Sequence, residues 1–278
     1  EGIGFISEEF ELGPREIASL AYHDIFDYPL NLGELIKWQA GKKFALRQEK
    51  LAINKGGFYF LQGREGVVLK RLLRERISSR KFEIARKIGQ ILKFIPTIKM
   101  LAVTGALAMS NASDSSDIDL LVISKKGTLW ATRLATLLFL DLIGIPRRKY
   151  GEREQTDKLC FNIWLDETSL AWNKKDRNVY TAHEICQIIP LVDKEDTYQK
   201  FLYINSWVKD FWPNATKIEK IEEKKESLGF LAKALFGLFS FFEPVARFFQ
   251  YRHMKGRKTR ETVTQKKALF HPTDWWVV

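Results

Sequence analysis

At 278 residues the chain is long enough for two ordinary domains, and its 45% hydrophobic content excludes a disordered or fibrous protein. Two cysteines exclude a disulfide scaffold, and four scattered histidines exclude a zinc-ligand spacing. The formal net charge of +11 favours polyanionic partners: nucleic acid, nucleotides or an acidic membrane surface. The first residues lack a basic-then-apolar signal pattern, so a cytoplasmic location is expected.

After a lead-in over 1–12, Pro14 opens a helical pattern from Arg15 to Phe26, with Ile17, Leu20, Ala21 and Ile25 as its apolar stripe. Asp27-Tyr28-Pro29 breaks it, and Asn31 is placed to cap a second helix carrying Leu32, Leu35 and Ile36. Lys42 to Asn54 reads as a third helix, Lys55-Gly56-Gly57 as a turn and Phe58-Tyr59-Phe60-Leu61 as a strand. Three short helices and a β-wing, with Pro29-Leu30-Asn31-Leu32-Gly33-Glu34-Leu35 at the second helix, resemble a winged helix-turn-helix module. That resemblance implies DNA contact through the third helix, where Lys42, Lys43, Arg47 and Lys50 could meet phosphates. The alternative is a module that packs on the rest of the protein. Arg64 to Phe94 is a long basic helical tract, with Ser78-Ser79 as a point where it could break. Arg71, Arg74, Arg76, Arg80, Lys81, Arg86 and Lys87 give it a positive face suited to a nucleic-acid backbone or a triphosphate.

Pro96 ends the tract. Lys99 to Thr104 then reads as a strand, Gly105 as a tight turn with close backbone approach, and Ala106 to Ser110 as a helix start whose unpaired amides attract anions. Asp117-Ile118-Asp119-Leu120-Leu121-Val122-Ile123 is an apolar strand entered by two carboxylates. Residues i and i+2 of a strand share a face, so Asp117 and Asp119 project together and Ile118 turns to the opposite side. Two acids so close repel unless a cation lies between them, and oxygen donors suit Mg²⁺ or Mn²⁺.

At these residues the chain resembles the DNA polymerase β-like nucleotidyltransferases: Gly105-Ala106, a spacer, then Asp117-Ile118-Asp119 is similar to their Gly-Ser…Asp-x-Asp signature. The resemblance covers roughly 95–165. It implies a small mixed sheet with helices, and transfer of a nucleoside monophosphate from an NTP to an acceptor with two metals. It also implies Asp117 and Asp119 as metal ligands, and Thr104, Gly105, Ala106 and Ser116 as candidate nucleotide contacts. Two positions depart from the pattern. Ala106 stands where the family has Ser. The third carboxylate falls on Asn162, at the centre of the strand Leu159-Cys160-Phe161-Asn162-Ile163-Trp164-Leu165, and an amide is no general base. Asp157 and Asp166 flank that strand as substitutes in a different register.

Lys125-Lys126-Gly127 makes a turn, Trp130 to Ile143 an apolar helix, and Arg147, Arg148, Lys149 and Arg153 a basic loop. Thr181 opens an amphipathic segment ended by Pro190, where His183 and Glu184 form a candidate acid/base pair; Tyr198 to Phe211 forms another. Leu228 to Gln250, interrupted by Lys233, Glu243, Pro244 and Arg247, is too short an apolar run to span a bilayer and reads as a core helix or helical hairpin, with an interfacial helix as a minor alternative. The fold expected is α+β, in four parts: a winged-helix-like module over 1–63, basic connecting helices over 64–94, a nucleotidyltransferase core over 95–170 and a helical region over 171–278. The function expected is Mg²⁺-dependent nucleotidyl transfer. The alternative is a catalytically degenerate nucleotide-binding regulator with a DNA-binding winged helix.

Overall fold

The computed structural model describes residues 7–10, 12–44, 51–149, 151–219, 230–255 and 262–270. The chain begins with β1 (Ser7–Phe10), α1 (Pro14–Asp24), β2 (Leu30–Asn31), α2 (Leu32–Lys37), β3 (Ala52–Lys55) and β4 (Phe58–Leu61). These strands form an antiparallel sheet in the order β1-β3-β4-β2. Asn31 does cap α2: its side chain accepts from Glu34 N at 2.9 Å while Glu34 accepts from Asn31 N at 3.0 Å. Of the apolar residues expected inside α2, only Leu35 is buried; Leu32 and Ile36 face solvent. Of the third helix expected over Lys42–Asn54, residues 45–50 lie outside the described residues, and the described parts are not helical. Lys42 and Lys43 lie in a turn and Ala52–Asn54 in β3, while Arg47 and Lys50 fall outside the described residues.

The basic tract is one helix, α3 (Val67–Leu92). Ser78 does not break it; its buried hydroxyl accepts from Ala112 N at 3.0 Å. The expected positive face is divided: Arg71 and Lys81 are buried and Arg74 half-buried, while Arg76, Arg80, Arg86 and Lys87 are exposed. Arg71 is buried over the Tyr28 ring, paired with Glu34 and Glu75; Arg74 donates to Phe26 O and Asn111 Oδ1; Lys81 is fully buried against Asp157; Arg80 pairs with Asp114. Arg71 and Arg74 tie this helix to the N-terminal unit, and Arg80 and Lys81 tie it to the segments that flank the acidic strand.

Next come β5 (Ile98–Val103), α4 (Gly105–Ala108), β6 (Ile118–Ser124), α5 (Leu129–Leu142), β7 (Leu159–Asp166), α6 (Val179–Gln187), β8 (Ile189–Asp193), α7 (Thr197–Ile204), α8 (Phe230–Met254), β9 (Thr262–Val263) and β10 (Lys267–Leu269). They build a six-stranded mixed sheet, β8-β5-β6-β7-β10-β9, in which β6 and β7 are parallel and the other pairs antiparallel. The α+β class holds. The region after residue 170, expected to be helical, also supplies three strands of this sheet. Pro190 does not simply stop a helix; it sits in β8, an edge strand, at an irregularity of its pairing with β5, which are the places where a sheet tolerates proline. The Tyr198–Phe211 helix ends early, at Asn205, whose amide donates to Leu170 O and Phe201 O, and a 3₁₀ turn, Ser206–Asp210, follows.

Alternation along the strands divides the interior. Met100, Ala102, Leu121, Ile123, Ile163 and Leu165 face one core, shared with α6, α7 and the N-terminal helices. Leu101, Val103, Leu120 and Val122 face another, covered by α3, α5 and α8. In the first core His23, Trp38, His183 and Trp212 stack closely, with Trp38 and His183 centroids 4.2 Å apart. The N-terminal unit therefore packs directly on α6 as one hydrophobic body.

Candidate functional site

Three local features bring the site together. Thr104 follows β5 and donates its amide to Asp119 O at 3.0 Å, which fixes the two strands at the point where the chain turns. Gly105 then adopts φ +62°, in the left-handed region, and α4 leads the chain away from β6. A Cβ on Gly105 would lie 2.6 Å from Asp119 Oδ2, so a hydrogen is the only side chain that admits this carboxylate. Asp117 immediately precedes β6, Asp119 is its second residue, and Ile118 between them is fully buried in the other core.

The third feature is a bulge. β6 and β7 pair Leu120 with Phe161 and then Leu121 with Ile163, leaving Asn162 as the extra residue. A bulge turns a side chain out of its regular alternation. Here it aims the Asn162 amide at Asp119, donating to Oδ1 at 2.7 Å. Asn162 Oδ1 is buried and has no hydrogen-bond partner among the described residues.

Asp117, Asp119 and Cys160 place their ligand atoms within 4.8 Å of one another. Burial, and then the charge of Asp117, raise Asp119 to about 7. Burial also pushes the Cys160 thiol up, followed by the charges of Asp119 and Asp117. Asp117 pairs with Arg148 at 2.8 Å, a partner drawn from the basic loop. The donor chemistry fits a hard divalent cation: two carboxylates and an orphaned amide oxygen close by, with Arg148 occupying Asp117 as a cation would.

α6, packed on the same side of the sheet as Asp119, adds a further titratable group. Glu184 is raised to about 8, first by burial and next by the charge of Asp119, and Gln187 donates to it at 2.5 Å. Tyr180, one turn earlier, also feels both acids. Glu184 thus feels the charge of Asp119, whereas its neighbour His183 lies in the aromatic core. His183 is buried, held far below its ordinary pKa by desolvation, and contacts His23 at 3.3 Å in the aromatic core. The expected His183–Glu184 pair is thus divided between two environments.

Of the other expected residues, Ala106 is exposed at the start of α4 and Thr104 is buried beside Asp119. Ser116 is turned elsewhere: its hydroxyl donates to Ser113 O and its carbonyl accepts from Lys81. Asp157 pairs with Lys81, and Asp166 caps Gly127 N and Thr168 N at the far end of β7, so neither replaces Asn162. Beyond α4 a cavity of about 290 Å³ opens, lined by Lys37, Ala108, Gln187, Tyr198 and Lys217 among others. No protein-family model, curated protein or solved structure matches this chain.

Proposed function

We propose that the chain is a nucleotidyltransferase-fold protein that binds a nucleoside triphosphate with Mg²⁺ or Mn²⁺ and transfers the nucleoside monophosphate to an acceptor, releasing pyrophosphate. The observation that carries this reading is the contact between the Gly105 bend and Asp119, with Asp117 and the Asn162 amide alongside. The divalent cation would supply positive charge to the triphosphate oxygens. Asp117 and Asp119 hold it, Gly105 lets the phosphates approach the backbone, and Arg148 stands where its guanidinium can turn from Asp117 to a phosphate.

Residues 12–61 support a winged-helix-like unit, with β4 pairing β2 beside α1 and α2. A second reading, a nucleotide-binding regulator that no longer catalyses transfer, is favoured by the amide at Asn162 and the missing hydroxyl at Ala106.

The test is incubation with α-labelled NTPs, Mg²⁺ and pooled acceptors. Label is expected on an acceptor and is expected to be lost in Asp117→Ala. Arg148→Ala removes the competing cation of a partly exposed pair, so Mn²⁺ affinity should rise about two- to fivefold with little change in melting temperature. NTP binding without transfer would support the regulator. Undiminished metal-dependent NTP binding in Asp119→Asn would remove the site.

A further inference from the structure

α8 is fixed to α5 by polar groups on one side only. Glu243 accepts from Trp130 N and Ala131 N at 3.1 and 2.8 Å, and Gln250 donates to Trp130 O at 2.7 Å. With Ala246 these residues form the inward stripe. Pro244, expected to interrupt the run, lies inside one continuous helix, so the segment is neither a hairpin nor a fully buried core helix.

The opposite side of α8 carries Phe241, Phe242, Val245, Phe248 and Phe249, exposed by 75, 49, 50, 62 and 62%, and Leu142 at the end of α5 is exposed by 84%. The four phenylalanines alone leave on the order of 500 Å² of ring surface in water, taking ~200 Å² per side chain. A soluble monomer rarely keeps so large a continuous apolar patch without a use for it.

We propose that this face docks on an anionic phospholipid surface, with α8 lying in the plane of the headgroups. Charge selects that occupant. Between Leu235 and Tyr251 the only acid is Glu243, which is buried against α5. Lys233 stands at one end of the helix, Arg252 and Lys255 at the other, and all three are exposed. Lys125 reaches over the Phe236 ring at 4.7 Å, its ammonium held beside the apolar face. A second copy of α8 laid on this face, parallel or antiparallel, would bring cations against cations, with no exposed acid between Leu235 and Tyr251 to pair them. A bilayer containing acidic lipids instead offers hydrocarbon to the rings and anionic headgroups to both helix ends. Because α8 covers one side of the sheet while Asp119 faces the other, docking leaves the carboxylate site toward water. The inference does not depend on the nucleotide reading.

The test is flotation of the full chain with vesicles of phosphatidylcholine containing about a quarter phosphatidylglycerol, against vesicles of phosphatidylcholine alone. The chain should float with the anionic vesicles and much less with the neutral ones. Phe241→Ser with Phe248→Ser should lower binding at least about tenfold, and Arg252→Glu with Lys255→Glu at least about threefold. Both pairs are solvent-facing, so circular dichroism should match that of the parent. Failure to float would overturn the proposal. So would undiminished binding by the phenylalanine variant, which would reduce the effect to net charge. A dimer in lipid-free sedimentation that dissociates in that variant would assign the face to a second copy and also overturn it.

Discussion

Replacing Gly105 by alanine is the most direct probe of the carboxylate site. Two costs arise. The first is backbone: an L-residue in the left-handed region costs about 1–2 kcal/mol. The second is local. The new Cβ would meet Asp119 Oδ2 at 2.6 Å, so the carboxylate must swing away and give up its 2.7 Å bond from Asn162, worth roughly 1–2 kcal/mol in a buried setting. The sum is about 2–4 kcal/mol, which for a chain of this size lowers the melting temperature by roughly 5–15 °C. Gly127 supplies the control, because it has φ +68° and nothing within 4 Å of an added Cβ. Gly127→Ala should therefore show the backbone cost alone, roughly 2–6 °C. In an Asp119→Ala background the extra penalty at Gly105 should vanish, leaving the two glycine substitutions alike. Calorimetric melting of the five variants with the parent, at one pH and without metal, measures this coupling. Equal destabilisation by Gly105→Ala and Gly127→Ala in the parent would refute the claim that the bend faces Asp119.

Asn162→Asp should place a third carboxylate against Asp119. Without metal, melting should fall by an amount equivalent to about 1–3 kcal/mol, and millimolar Mg²⁺ should recover most of it; no recovery would argue against a cation at this point. The His23–His183 pair gives a pH dependence. Burial lowers His23 from 6.5 to about 4, and His183 lies well below its ordinary value. Both are neutral in the folded chain and take up protons on unfolding, so their contribution is present above about pH 6.5 and is lost as pH falls toward 4. The difference between parent and His183→Gln stability, followed by urea melts from pH 7 to 4.5, should shrink on acidification; a constant difference would contradict neutral histidines.

Strand alternation was enough to place Asp117 and Asp119 on one side with Ile118 on the other, and the glycine between strand and helix marked the bend. Asn162 could be assigned to its strand, but not its direction, because a bulge is a property of pairing and leaves no mark in a single strand. The role of Arg148 was hidden for a related reason: a loop of four cations does not show which one reaches back 31 residues to an acid. Glu184 was singled out beside His183, yet only the packing of α6 separates the two, one feeling the charge of Asp119 and one in an aromatic core. β8 was missed because Pro190 reads as a helix stop unless the strand is known to be an edge. The exposed face of α8 was misjudged because an apolar helix does not reveal which of its sides the protein covers.

The order of the larger sheet sets a condition on synthesis. β7 is complete by residue 166, but its antiparallel neighbour β10 begins at Lys267, about a hundred residues later. Until that segment leaves the ribosome, an apolar strand of eight residues presents an unpaired border able to capture strands from other nascent chains. Premature termination between Gln187 and Lys267 should therefore yield aggregates even though both acids, the glycine bend and α6 have already been made.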